Sequence, residues 1–183
     1  MIVASTPRLH LRPWTVEDAP ATDAIYGDAE TMRMFGDGST FTRAAIAESL
    51  ADIVNEYAVR GYANYAVIER ATNRVIGHCG AHATRHDFAE ADWVIGREWQ
   101  GRGYATEAAR AVFLRAFTVD RIEEIVGIVH VDNALSIAVM EKLGMRRGEE
   151  LVKHGMPSVR YSLRKSDFAL PHDCGPMTIF PPV

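Results

Sequence analysis

The chain has 183 residues, 48% of them hydrophobic, enough for one domain with a sizeable core. Twenty Lys and Arg against twenty-four Asp and Glu give a formal net charge of −4, which argues against a broad basic surface for nucleic acid or acidic lipid and favours cationic partners. No apolar run approaches the roughly twenty residues of a membrane span, and residues 1–5 carry neither the basic region nor the apolar core of a signal peptide, so a cytoplasmic protein with no membrane partner is expected.

In chain order, alternation predicts a strand over 8–12, followed by helices over 16–26 and 29–35. The glycine-rich loop Phe35-Gly36-Asp37-Gly38-Ser39 precedes a longer helix over 43–60, which Gly61 ends. Strands over 62–69 and 75–84, joined by the turn Arg70-Ala71-Thr72-Asn73, and a third over 90–95 predict an antiparallel meander. His78, His82 and His86 recur every four residues, a metal-ligand spacing on a helix. On a strand, successive members stand about 13 Å apart, too far to share one ion, so no metal is expected and at most one of them lines an acceptor pocket.

A helix over 103–118 follows the turn Trp99-Gln100-Gly101-Arg102-Gly103. Next come an Ile- and Val-rich strand over 122–131 that reads as covered on both faces, a helix over 134–143 and closing strands over 145–153 and 159–164. Asn133 is placed to cap the second of these helices, and Gly144 sits where a left-handed C-terminal cap belongs. The tail over 171–183 resists regular structure. Its Met177, Ile179 and Phe180 are unusual for a solvated end, which leaves packing on the body, packing on a partner subunit and disorder open. Cys79 and Cys174 fit neither a disulfide framework nor a zinc module and are expected reduced.

The glycine turn against a helix start is suited to an anion, because Gly101 and Gly103 let main-chain N–H groups approach a ligand and the helix end presents unpaired amides. It lacks the Lys-Ser/Thr of a nucleoside triphosphate loop and the further glycine of a dinucleotide fingerprint. The string Gln100-x-x-Gly103-x-Ala105 after a strand resembles the pyrophosphate-binding motif of the GNAT N-acetyltransferase superfamily. Asn133-x-x-Ser136, before a helix ending Glu141-Lys142-Leu143-Gly144, resembles the second signature at the family's spacing. The opening Thr6-Pro7-Arg8-Leu9-His10-Leu11-Arg12-Pro13-Trp14 resembles the branch related to ribosomal-protein N-terminal acetyltransferases, and the likeness runs from about residue 5 to about residue 167.

The resemblance implies an α/β fold: a mixed, mostly antiparallel sheet of six to seven strands, splayed at the cofactor site, with helices on both faces. Residues 1–170 would form a single acetyltransferase domain and 171–183 a tail. It implies that Gln100, Gly101, Arg102, Gly103, Tyr104, Ala105 and Thr106 hold the pyrophosphate of an acyl-CoA. Main-chain donors at Val94 and Ile95 would hold pantetheine and polarise the thioester carbonyl, with Asn133 on the same arm. Glu90 is the first candidate for a general base, Asp92 on the same strand face could bind the amine or take over the base role, and Ser136 is placed to assist the sulfur. Met140 stands where some members carry a tyrosine acid and cannot donate a proton.

The expected reaction is direct attack of an amine on acetyl-CoA, with a protein N-terminus or a small-molecule amine as acceptor. With reference pKa values of about 7.7 to 8.0 for an α-amine and about 10.4 for lysine, roughly 15% of the former and about 0.04% of the latter is neutral at pH 7. An N-terminal acceptor therefore asks less of a base. A larger donor such as succinyl-CoA, a non-catalytic acyl-CoA sensor and a homodimer built on the apolar tail remain as alternatives and additions.

Overall fold

The computed structural model describes residues 1–84, 88–171 and 174–181. The first strands are β1 (Ala4–Ser5) and β2 (Leu9–Pro13), followed by the helices α1 (Ala19–Tyr26), α2 (Ala29–Met32) and α3 (Arg43–Arg60). The meander is β3 (Asn64–Glu69), β4 (Arg74–Ala83) and β5 (Ala89–Ile95). Then come α4 (Tyr104–Thr118), β6 (Glu124–His130), α5 (Ala134–Lys142), β7 (Arg146–Lys153), β8 (Met156–Arg164) and β9 (Thr178–Ile179). The order across the sheet is β7-β8-β6-β5-β4-β3-β2-β1-β9, and among the described residues only β5 and β6 run parallel.

Several expected elements take different bounds for local reasons. The segment over 16–26 begins with a 3-10 turn at Val16–Asp18 and becomes α-helical from Ala19, with Pro20 in the first turn where a missing N–H costs nothing. The helix expected over 29–35 stops at Met32. The last hairpin is longer than expected, because His154 and Gly155 both take positive φ, at 51° and 78°, and close a two-residue turn that pairs Lys153 with Met156.

Among the described residues, nine strands replace the six or seven expected, because two-residue strands are added at the sheet edge. β1 and β9 pair in antiparallel register, Ala4 with Ile179 and Ser5 with Thr178, so the tail has regular structure after all. Arg115 of α4, almost fully buried, ties that edge down: its Nη1 donates to the Phe180 carbonyl at 2.5 Å and its Nε to the Tyr65 hydroxyl at 3.1 Å.

α4 reaches the sheet closely because its inner face carries small side chains, Ala108, Ala109, Ala111 and Ala116, beside the larger Val112, Phe113 and Phe117, all buried. Removing one such ring, as in Phe113→Ala, costs about 3–5 kcal/mol in a close-packed core. On the opposite face α1 and α2 lay Ile25 and Met32 against Val94 of β5. α3 packs Ile46 and Leu50 against Trp14, Ala66 and Ile68. Helices therefore cover both faces, and β5 lies between two different environments. Among the described residues, no helix is long and apolar enough to cross a membrane.

Candidate active site

β5 and β6 pair only at Ala89 with Ile125 and Glu90 with Val126, then separate. The gap opens into a cavity of about 1050 Å³. Residues 91–95 line one wall and 128–130 the other, with the glycine turn and the start of α5 at one end and α2 with the loop after it at the other.

The turn takes its shape from Gly101 and Gly103, at φ 73° and 78°. A Cβ at Gly101 would meet nothing within 4 Å, so the space beside it is open. The first bond of α4 runs from the Glu107 N–H to the Gly103 carbonyl, which leaves the amides of Tyr104, Ala105 and Thr106 without an intrahelical partner. Tyr104 anchors the turn from beneath: its hydroxyl donates to Glu69 Oε1 at 2.5 Å, and that bond, with one from Thr72, holds the Glu69 carboxyl below its ordinary range. Arg8 braces it from outside, with Nη1 donating to the Arg102 carbonyl at 2.9 Å and Nε to Glu107 Oε2 at 2.6 Å. The negative charge at the start of α4 is thereby matched before any anion arrives. Arg102 itself is exposed on the outer side of the turn, whereas Gly101, Gly103, Tyr104, Ala105 and Thr106 line the cavity.

Gln100 also lines the cavity, but its Nε2 donates to the Ile95 carbonyl at 2.8 Å and closes the end of β5. The parity of β5 follows from one bond, Gly96 N–H to the Ile76 carbonyl at 2.9 Å. It makes Ile95 opposite Gly77 a non-hydrogen-bonded pair and Val94 opposite His78 a bonded one. Val94 therefore turns its main-chain groups to β4, while Trp93 and Ile95 turn theirs to the gap. Of the two positions expected to present donors, Ile95 does so and Val94 does not, and Trp93 joins it. On the far wall Asn133 caps α5, its Oδ1 accepting from the Ser136 N–H at 3.1 Å, and both residues line the cavity. Gly144 takes φ 78° just beyond the end of α5. Met140 is buried and lies against Gly127.

Glu90 and Asp92 share a strand face with Val94, on the α1–α2 side, as their spacing requires. They have different partners. Glu90 is ion-paired with Lys153 at the end of β7. Asp92 lies under His78, whose Nε2 is 3.4 Å from Asp92 Oδ1, and His78 Nδ1 is 2.7 Å from the Tyr26 hydroxyl. Burial works to raise the Asp92 carboxyl, but His78, His82 and Asn64 outweigh it and hold the group below the usual carboxylate range. Burial, with the Asp92 charge nearby, pushes the Tyr26 phenol far up, so it remains a hydroxyl donor. His82 lines the cavity and His86 lies outside the described residues. Lys153 and the Tyr26–His78 pair are additions of the fold, since the spacing of the histidines says nothing of their partners. Cys79 and Cys174 are both free thiols.

The model of the acetyltransferase (GNAT) domain matches residues 8–146. The chain belongs to the GNAT acetyltransferase family. An uncharacterized N-acetyltransferase, p20 of Bacillus licheniformis, is 29% identical over 173 residues, covering 90% of this chain and 97% of that protein. The crystal structure of a GNAT-family acetyltransferase from Bacillus anthracis is similar with a TM-score of 0.80 at 24% identity, covering 91% of this chain and 99% of that one. RimL, a ribosomal L7/L12 α-N-protein acetyltransferase solved in complex with coenzyme A, is similar with a TM-score of 0.76 at 17% identity, covering 90% and 98%. The splayed β5–β6 pair and the glycine turn are thus parts of a GNAT fold, and the chain is an acetyltransferase.

Proposed function

We propose that this GNAT enzyme transfers an acetyl group from acetyl-CoA to a primary amine by direct attack. The observation that carries the reading is the cavity itself, which joins a main-chain anion cradle, an open strand edge and two carboxylates in one space. The amides of residues 103–106 are suited to the pyrophosphate, at the positive end of α4. The gap-facing N–H groups of Trp93 and Ile95 are suited to pantetheine and to the thioester oxygen, where preorganised donors stabilise developing charge. Asn133 and Ser136 line the cavity across the gap, and the Asn133 amide nitrogen and the Ser136 hydroxyl are suited to the same arm. RimL, which shares the fold, is a complex with coenzyme A, in agreement with a coenzyme site of this kind.

The reaction balances simply. The amine nitrogen bonds to the thioester carbon, the C–S bond breaks, and of the two protons the ammonium sheds, one ends on the departing sulfur and one leaves by the cavity carboxylates or water.

Calorimetric titration with acetyl-CoA, CoA, succinyl-CoA and NAD, followed by thiol release over a panel of primary amines, tests the reading. Selective acyl-CoA binding with turnover on an amine is expected. Preference for succinyl-CoA would move the donor, and acyl-CoA binding without turnover on any amine would leave a sensor.

A further inference from the structure

The acceptor side of the cavity holds a polar chain that the turn and the strand gap do not use. His78 is 94% buried, yet among the described residues its Nε2 has no hydrogen bond within good geometry and points at Asp92 Oδ1, which is likewise buried without a hydrogen-bond partner among them. The rest of the Asp92 side chain stays open to the cavity, a quarter of its surface being exposed. A buried polar pair held just beyond ideal distance lacks the closure that buried groups normally have, and a third group between or beside the two would supply it. In the tautomer whose Nδ1 accepts from the Tyr26 hydroxyl, the imidazole proton sits on Nε2 and faces the carboxylate. Phe35 packs edge-on to the same imidazole and Tyr26 at a tilt, so the ring cannot turn away.

Glu90, two residues earlier on the same face, is neutralised by Lys153. Among the described residues, Asp92 is therefore the carboxylate in this wall whose charge is not matched by a lysine or arginine. We propose that Asp92 is the docking point for the acceptor's ammonium group and that His78, itself set by Tyr26, is the positioning residue that aims it. The inference rests on the transferase reading and specifies its substrate class: a cationic primary amine held by one carboxylate rather than by an acidic cluster. A carboxylate kept ionised in this way suits an anchor better than a general base, which works best with a pKa near the operating pH.

The test compares variants with acetyl-CoA as donor and, as acceptors, spermidine, tyramine and short peptides beginning with Ala, Ser or Met. For the best of these, Asp92→Asn is expected to raise KM for the amine at least tenfold while the acetyl-CoA Kd stays within about twofold, and Glu90→Gln to raise it less. His78→Leu should raise the amine KM about as much as Asp92→Asn, and His78→Gln, which keeps an N–H donor, should recover part of the loss. An unchanged amine KM in Asp92→Asn, a larger effect from Glu90→Gln, or a His78→Leu defect spread equally over amine and coenzyme would overturn the proposal. Should the His78 variants fail to fold, wild-type protein with 15N-labelled histidine and bound CoA decides it. Addition of butylammonium should shift the His78 side-chain resonances, and 1-butanol should not; equal responses would overturn it. Absence of turnover by the wild type with all acceptors, despite acetyl-CoA binding, counts against the transferase reading, and the butylammonium titration then judges Asp92 separately.

Discussion

At the pyrophosphate end of the cavity the proposed ligand-facing groups are main-chain amides from one short stretch, Gly103 to Thr106, held by two positive-φ glycines. At the acceptor end the proposed ligand-facing group is one side chain, Asp92 of β5, and its setting comes from four other elements: Tyr26 of α1, Asn64 of β3, His78 of β4 and, on neighbouring Glu90, Lys153 of β7. A main-chain site tolerates most side-chain changes and fails when the backbone is forced elsewhere. A side-chain site can be retuned by single substitutions while the fold stays intact. One scaffold can thus keep its acyl donor and change its acceptor.

The largest expected effect breaks the coenzyme end alone. Gly103→Trp puts a bulky side chain at φ 78°, where an L-residue is strained by about 1–2 kcal/mol, and starts it 3.6 Å from Nη2 of Arg8, the brace of the turn. We expect acetyl-CoA affinity to fall at least about 100-fold, roughly 2.7 kcal/mol, by calorimetry. Unchanged affinity in a folded variant would return the turn to a structural role.

The contrast also explains what the sequence discloses. Gly101, Gly103, Asn133 and Gly144 are legible because each acts through its own φ or the backbone three residues away, and the structure gives these residues the turn and cap geometry their spacing predicts. The choice between Val94 and Ile95 is not local: it depends on the parity of a ladder with β4, set by how Gly96 meets Ile76. Tyr26 and His78 are 52 positions apart and Glu90 and Lys153 are 63 apart, so no spacing rule joins them. β1 and β9 escape for a different reason, since two residues are too few to show alternation.

The acceptor end depends on α1 being seated correctly, and a partly buried ion pair holds the start of that helix. Asp18, just before α1, takes a bidentate pair from Arg12 of β2 at 2.6 and 2.7 Å and accepts from the Thr15 N–H at 2.9 Å. Burial works to raise its carboxyl, and the Arg12 and Thr15 bonds outweigh that and lower it. The unfolded chain therefore binds the proton more tightly. The stabilisation is full above the unfolded carboxylate range and is lost as pH falls through the lower folded value. Asp18→Asn is expected to cost about 2 kcal/mol at neutral pH, between exposed and fully buried pairs. Urea midpoints for wild type and variant should converge as the medium is acidified through that range, and a gap independent of pH would show that the pair acts through shape rather than charge.

A smaller effect sharpens the other end. Arg8→Ala removes the brace on the Arg102 carbonyl and leaves Glu107 unmatched beside the cradle. Loss of one charge-assisted contact is worth about 1.4 kcal/mol, or tenfold in coenzyme affinity, and this loss should grow at low ionic strength, where the bare Glu107 repels an anion further. Equal affinity in the variant would mean that the glycines and the Tyr104–Glu69 bond hold the turn unaided.

The smallest effect tests whether a residue can serve both backbone and ligand. Asn133 Oδ1 caps α5, and its amide nitrogen is left for the proposed pantetheine contact. Asn133→Ala should cost about 1 kcal/mol of stability from the lost cap and about fivefold in acetyl-CoA affinity from one neutral hydrogen bond. Asn133→Ser separates the two, because serine caps a helix nearly as well but cannot reach with an amide. Thermal unfolding should then match the wild type while the affinity loss persists. If serine restores both, Asn133 belongs wholly to the helix, and the coenzyme end is built of main chain on this wall as well.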